Sequence, residues 1–181
     1  MLSAAQAIEV AGVRVEPRAR VGATNLTLNG AGMRRMFATN VYIIGIYLPA
    51  PTRSAATAIQ SPGAKRISLT LARELTAQSL VDALREGIRD NTTEAEFEIL
   101  NGAINALSAT MLPLRAAQKG DVLTLDYDPA AGAQVAVNGN SIGVPVPGQA
   151  LYSALLKIWL GARPVDSELK RALLQGKPGE P

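Results

Sequence analysis

Residues 28–48 have the sequence LNGAGMRRMFATNVYIIGIYL, are followed by Pro49 and contain the strongest fold signal in the chain. An alternating strand over residues 24–28 leads into it. Gly30 and Gly32 permit backbone angles that other residues avoid, so a tight turn is predicted after a strand that stops at Asn29.

The second half of this stretch, residues 36–48, is almost continuously apolar. Such a run is typical of a central strand that is covered on both faces. Gly45 within it marks a bend or the close approach of another element. Arg34 and Arg35 therefore lie directly before a buried strand. A pair of cations is unusual at such a position and needs a structural or functional explanation.

The composition indicates one globular domain. The chain has 181 residues, of which 48% are hydrophobic and 18% charged, and an average globular chain carries about a quarter charged residues. The net charge is only +3, with few aromatic residues and no run of Lys or Arg, which argues against a nucleic-acid-binding protein. No apolar run is long enough to span a membrane.

Cysteine and histidine are both absent. This excludes disulfides, thiol nucleophiles, histidine bases and imidazole ligands. We expect no metal site and no cofactor. Any catalysis would have to use Arg, Lys, Tyr, Ser, Thr, carboxylates or bound water.

The two ends of the chain are expected to lie outside the domain, which we place at residues 8–174. Ala5-Gln6-Ala7 has the small-x-small form of a signal-peptidase site. Residues 1–7 are interpreted as a signal-peptide remnant of a periplasmic protein, the alternative being an ordinary Ala-rich start. Residues 175–181 are expected to form a flexible tail.

The order of predicted elements favours an α+β fold, with a large, mostly antiparallel sheet and helices on one face. Thr76 is a predicted helix N-cap, and Thr93 with Glu96 has capping-box form. Asn138-Gly139 predicts a tight hairpin. The predicted strands cover residues 8–15 (as a hairpin or a bent strand), 24–28, 36–48, 65–71, 122–127, 134–137 and 141–144, and helices are predicted at 54–60 and after Thr76, Thr93, Pro147 and Asp166.

Several short motifs occur in an order that resembles the chalcone isomerase family. They are NGAGMR at 29–34, IGIYL at 44–48, KRISLT at 65–70, LTAQ at 75–78, ALLKIWLG at 154–161 and PVD at 164–166. The resemblance covers about residues 8–174 and is greatest to the bacterial, often exported, branch. It implies an open-faced β-sandwich with a ligand cleft between the central strand and the helices.

The resemblance carries over only one residue of the isomerase site. In the plant enzymes, an Arg after the Gly-rich turn acts with a strand Thr, a helix Tyr and Asn, and a late Thr or Ser. Here the Arg matches Arg34, whereas the other positions fall on Tyr42 and near Ser79, Glu86 and Ile158. Cyclisation needs several pre-placed donors, so we expect no catalytic residues.

The leading hypothesis is a non-catalytic binding protein for a small apolar ligand with an anionic head, such as a fatty acid. Arg34 would bind the anion through its planar fork, assisted by Tyr42. Tyr47 differs from Tyr42 by an odd number of positions and would face the other side of the strand. The predicted ligand-binding set is Arg34, Tyr42, Ile44, Ile46, Ser79, Leu84 and Ile158.

Several alternatives remain open at this point. Arg34 could be a surface residue or the partner of a structural carboxylate such as Glu74 or Asp126. Trp159 is more often a core residue than a stacking platform. The chain could instead be an isomerase or lyase acting on a phenolic or enone substrate, a haem-type planar cofactor binder that uses Tyr or Met as axial ligand, or a structural or partner-binding protein. The sequence leaves the oligomeric state unknown.

Overall fold

A computed structural model describes residues 6–175 of the chain. The signal-peptide interpretation of residues 1–7 and the expected tail therefore fall largely outside the described residues. The strands are β1 Ile8–Val10, β2 Val13–Val15, β3 Arg18–Val21, β4 Thr24–Met36, β5 Thr39–Leu48, β6 Lys65–Leu71, β7 Leu75–Thr76, β8 Ala116–Ala117, β9 Val122–Asp128, β10 Gly132–Val137 and β11 Asn140–Val146. The helices are α1 Ala55–Gln60, α2 Ala77–Asp90, α3 Glu94–Met111, α4 Gln149–Leu160 and α5 Ser167–Leu174, with a 3₁₀ turn at Leu112–Leu114.

Seven strands form one antiparallel sheet in the order β11-β10-β9-β6-β5-β4-β3. The strands β1 and β2 form a separate hairpin, and β7 pairs with β8. The helices pack against one face of the sheet. The predicted α+β open-faced sandwich is confirmed. Across residues 6–175, no helix is both long enough and apolar enough to cross a bilayer.

Strand β5 lies inside the sheet and is covered on both faces, as its apolar run predicts. Ile44 and Ile46 point into the core between the sheet and the helices. Ile43 and Tyr47 point to the opposite face, into a smaller core that includes Val15 of the β1–β2 hairpin. The period-two alternation of a strand therefore gives β5 two apolar environments.

The predicted turn at Gly30 and Gly32 is wrong. Strand β4 continues through both glycines to Met36. The glycines are required by α5 instead: a Cβ at Gly30 would lie 2.5 Å from the carbonyl oxygens of Ala172 and Leu173. At Gly32 it would lie 2.6 Å from a side-chain carbon of α5. These two glycines thus allow α5 to pack closely on β4 and do not form a left-handed turn.

The local signals for helix starts and hairpins are confirmed. Thr76 caps α2, and Thr93 with Glu96 forms the capping box of α3. Asn138 and Gly139 have φ of 50° and 82° and join β10 to β11. Some boundaries differ. Helix α4 begins at Gln149 and not in a turn that contains Pro147, and the strand predicted over residues 36–48 begins at Thr39, since Met36 belongs to β4.

Candidate ligand-binding site

The register between β4 and β5 places Arg34 directly opposite Tyr42. Side chains that face each other across an antiparallel pair lie on the same face of the sheet. Tyr42 packs against the helical core, whereas Tyr47 lies on the opposite face and its hydroxyl donates to the carbonyl of Glu16 at 2.8 Å. The prediction that the two tyrosines point to opposite sides is confirmed, and it is Tyr42 that accompanies Arg34.

Tyr42 is held in place by Trp159 of α4. The indole Nε1–H donates to the Tyr42 hydroxyl oxygen at 2.9 Å, and the rings meet edge to face with centroids 6.5 Å apart. Burial raises the pKa of Tyr42, although the Trp159 hydrogen bond and the charge of Arg34 oppose the shift and Asp166 adds to it. Tyr42 is therefore neutral at physiological pH. Because Trp159 uses a lone pair of the hydroxyl, the proton of Tyr42 can be donated to an anion.

Arg34 lies near the N-terminus of α5. Its Nη1 donates to the carbonyl of Arg35 at 2.6 Å and lies 3.9 Å from a carboxylate oxygen of Asp166. That second distance is too long for a hydrogen bond. The other carboxylate oxygen of Asp166 accepts from the backbone N–H groups of Glu168 and Leu169, both at 2.9 Å. Arg34 thus has a loose counter-ion that the helix already uses as its N-cap.

The alternative interpretation, in which Arg34 pairs with Glu74 or Asp126, names the wrong carboxylate. Within residues 6–175, the carboxylate that lies within 4 Å of Arg34 is that of Asp166. Asp126 forms a two-pronged ion pair with Arg66, with both distances 2.6 Å.

The predicted tail-binding residues share one apolar core. Ile44, Ile46 and Ile158 are buried members of the cluster between sheet and helices, and Leu84 packs against it. Ile158 fits against Gly87 of α2, where an added Cβ would lie 2.8 Å from it. The structure brings these residues together with Tyr42. Because the three isoleucines expose almost no surface, a ligand tail would have to displace packed side chains.

Ser79 differs from the rest of the predicted set. It lies exposed in the first turn of α2, where its hydroxyl donates to the carbonyl of Thr76 at 2.8 Å. This contact gives Ser79 a local structural role in the start of the helix. Its assignment to the ligand site stays a prediction without a supporting contact.

Sequence reasoning did not assign Trp159 and Asp166 to the site. Trp159 is the only tryptophan of the chain and lies in the ALLKIWLG motif, which was a usable signal. Asp166 had a sequence signal only as a helix N-cap. Its proximity to Arg34 results from the packing of α5 along β4, which no local pattern encodes.

A cavity of about 510 Å³ lies on the opposite face of the sheet and contains none of the predicted site residues. Its floor includes Gly45, Ser68, Thr124 and Ala136, which follow one another in register across four strands. The Arg66–Asp126 ion pair borders it. Arg14 and Val15 of the β1–β2 hairpin line it on one side, and its polar side chains are typical of a solvated antiparallel face.

Comparison with known proteins gives a family and a fold. A family model described as chalcone isomerase-like matches residues 7–175. A fatty-acid-binding protein of Arabidopsis thaliana, AtFAP1, has a similar crystal structure, with a TM-score of 0.72 and 16% sequence identity over 90% of this chain and 92% of that one. Among curated proteins no significant relative was found.

Proposed function

We propose that this chain, which belongs to the chalcone isomerase-like family, binds a fatty acid or a similar amphipathic anion without converting it. The observation that carries the proposal is the Arg34–Tyr42 pair, which lies on the helical face of the sheet beside an apolar core. The description of AtFAP1 as a fatty-acid-binding protein supports this ligand class, since the two proteins share a fold.

The anionic head would be bound by two donors of different kinds. Arg34 offers a charged planar fork, and Tyr42 offers one neutral hydroxyl proton. Asp166 would be displaced as the counter-ion of Arg34. This exchange is inexpensive because the Asp166–Arg34 distance is already 3.9 Å and α5 retains the carboxylate as its cap.

The chemistry of the same groups favours binding over catalysis. Arg34, Tyr42 and Trp159 present donors to a ligand, and a raised pKa makes the Tyr42 phenol a poor base at neutral pH. Asp166, a nearby carboxylate, already serves as the N-cap of α5, where one of its oxygens accepts from the backbone N–H groups of Glu168 and Leu169. A reaction that begins with proton abstraction therefore has no well-placed base among these residues.

We further propose that the protein is bacterial and works in the periplasm. The support is the small-x-small sequence Ala5-Gln6-Ala7 and the likeness of the motif order to the exported branch of the family. Fractionation of the native host, with N-terminal sequencing of the mature chain, tests this. Recovery with the cytoplasmic fraction would contradict it.

The test of the binding function compares Arg34→Ala with Arg18→Ala. Arg18 is an exposed arginine beside the opposite-face cavity and serves as a matched loss of charge. Titration calorimetry with palmitate should show that Arg34→Ala weakens binding about ten- to a hundredfold, as expected for a charged hydrogen bond. Arg18→Ala should bind like the wild type.

Two outcomes would contradict the proposal. Equal palmitate affinity of Arg34→Ala and wild type would remove Arg34 from the site. Turnover of a chalcone substrate that Arg34→Ala abolishes would favour an isomerase instead. Native mass spectrometry of the purified wild type should detect a co-purified small acid that is lost from Arg34→Ala.

A further inference from the structure

The tip of the β4–β5 hairpin carries two large apolar side chains in water. Phe37 is 101% exposed and Met36 is 46% exposed. The register pairs Met36 with Thr39, so Phe37 and Ala38 form a two-residue loop. Isolated exposed apolar residues are common on protein surfaces, but here two neighbours stand together at the end of a projecting hairpin.

The backbone conformation at Phe37 is unfavourable for this residue. Its φ is 53°, and it is the first residue of a two-residue hairpin loop, a position where glycine is preferred. An aromatic residue with positive φ costs about 1 kcal/mol or more relative to glycine. The β10–β11 hairpin uses Asn138-Gly139 for its own tight turn. The strained backbone at Phe37 points to a function for its side chain.

The charged side chains next to the tip give it a net positive charge. Arg35 is exposed and forms no salt bridge within residues 6–175. The neighbouring loop, joined to β5 by a hydrogen bond from Ala72 to Val41, adds one charge of each sign through Arg73 and Glu74. The tip therefore combines apolar side chains with an unpaired guanidinium, which suits the boundary between acyl chains and anionic headgroups.

The shape of the tip favours a membrane over a protein partner. Two adjacent side chains on a convex turn offer far less than the roughly 1,000 Å² that a specific protein interface needs. The same side chains can insert into a lipid headgroup region without a complementary surface. Phe37 also lies three residues, or about 10 Å of strand, from Arg34.

We propose that the hairpin tip, Arg35 to Ala38, docks on an anionic lipid membrane. The proposal deepens and rests on the proposed function, since it places the Arg34–Tyr42 pair near the bilayer surface from which an amphipathic acid would be collected. Phe37 and Met36 insert between the headgroups, and Arg35 contacts lipid phosphates.

Vesicle co-sedimentation of the full chain tests the proposal. Vesicles of phosphatidylcholine with phosphatidylglycerol are compared with vesicles of phosphatidylcholine alone. Phe37→Ser should weaken binding to the anionic vesicles about tenfold or more, as expected when a large apolar side chain is no longer buried. Ile99→Ser and Val144→Ser are matched controls, since these residues are 82% and 76% exposed at other places. Both should bind as the wild type does.

A second pair of variants separates docking from folding. Phe37→Gly relieves the positive-φ strain, so it should raise the melting temperature while losing vesicle binding. Arg35→Gln should lose about fivefold in affinity for anionic vesicles and little for phosphatidylcholine vesicles. The proposal is overturned if the wild type ignores anionic vesicles, if the controls lose as much binding as Phe37→Ser, or if Phe37→Gly binds vesicles normally.

A negative result for membrane docking can be distinguished from a negative result for fatty-acid binding. Vesicle binding is measured without fatty acid, and palmitate affinity is measured without vesicles. Phe37→Ser should keep its palmitate affinity, and Arg34→Ala should lose palmitate affinity whichever way the vesicle experiment comes out.

Discussion

Among the individual residues, Tyr42 connects the proposed ligand site to the core. Its hydroxyl accepts a hydrogen bond from the buried Trp159 and has a proton left for a ligand. The phenol therefore contributes to stability and, in the proposed function, to affinity. Replacing Tyr42 affects both stability and affinity. The two effects can be separated because only the effect on stability involves Trp159.

Tyr42→Phe should lower the free energy of unfolding by about 1–3 kcal/mol, because the Trp159 N–H loses its acceptor inside the protein. In a Trp159→Phe background the same change should cost about 1 kcal/mol less, since no donor is left unpaired. Urea unfolding followed by far-UV circular dichroism measures all four proteins. Strictly additive losses would show that the hydrogen bond contributes nothing.

The residues that sequence could assign are those whose position follows from a local rule. Strand alternation separates Tyr42 from Tyr47, and the family motif selects Arg34. Asp166 and Trp159 reach Arg34 and Tyr42 only through tertiary packing. A contact between segments that are far apart in the chain produces no periodic pattern in the sequence. Half of the polar residues of the proposed site, Asp166 and Trp159, were therefore not predicted.

Among the helices and strands, the packing of α5 on β4 positions the Arg34 end of the proposed site. Leu173 and Leu169 lie over Gly30 and Gly32, and Asp166 at the helix start comes near Arg34. Asn29 secures the other end, since its amide donates to the carbonyl of Leu173 at 2.8 Å. The glycines and Asn29 together let the helix lie close enough for its cap to meet Arg34.

Gly30→Ala is expected to destabilise the protein by about 1–3 kcal/mol through overpacking, because the new methyl group would meet rigid backbone atoms of α5. Gly102→Ala is the matched control. Gly102 is an exposed position within α3 with nothing within 4 Å of an added Cβ, so alanine there should stabilise by about 0.5–1 kcal/mol. Urea unfolding measures both. A Gly30→Ala protein as stable as the wild type would refute the close-packing role.

The misread glycines show where element prediction fails. Helix caps such as Thr93 were predictable because the cap and its partner are three residues apart. The neighbouring sequence does not distinguish a glycine that allows a tight turn from a glycine that allows a helix to pack closely against a strand. Only the position of α5, set by apolar contacts late in the chain, distinguishes the two cases at Gly30.

The whole chain folds as a sheet and a helical layer, and the described apolar residues between them are buried. The predicted tail-binding isoleucines are buried between the sheet and the helices, while the open cavity lies on the other face. Composition and element order were enough to predict the layers. They could not predict whether the space between the layers is open, because that depends on how the side chains fit together.

The burial of the predicted tail-binding isoleucines leads to a kinetic prediction for fatty-acid binding. If the helical layer must move before the tail can enter, the observed binding rate should approach a plateau as palmitate is raised. Trp159, the only tryptophan, lies against Tyr42 and reports occupancy by its fluorescence in a stopped-flow instrument. Leu84→Ala should raise the plateau, since it removes a partly buried side chain of α2 that packs on this core. A rate that rises linearly with palmitate throughout, unchanged in Leu84→Ala, would mean that the tail binds without displacing the core.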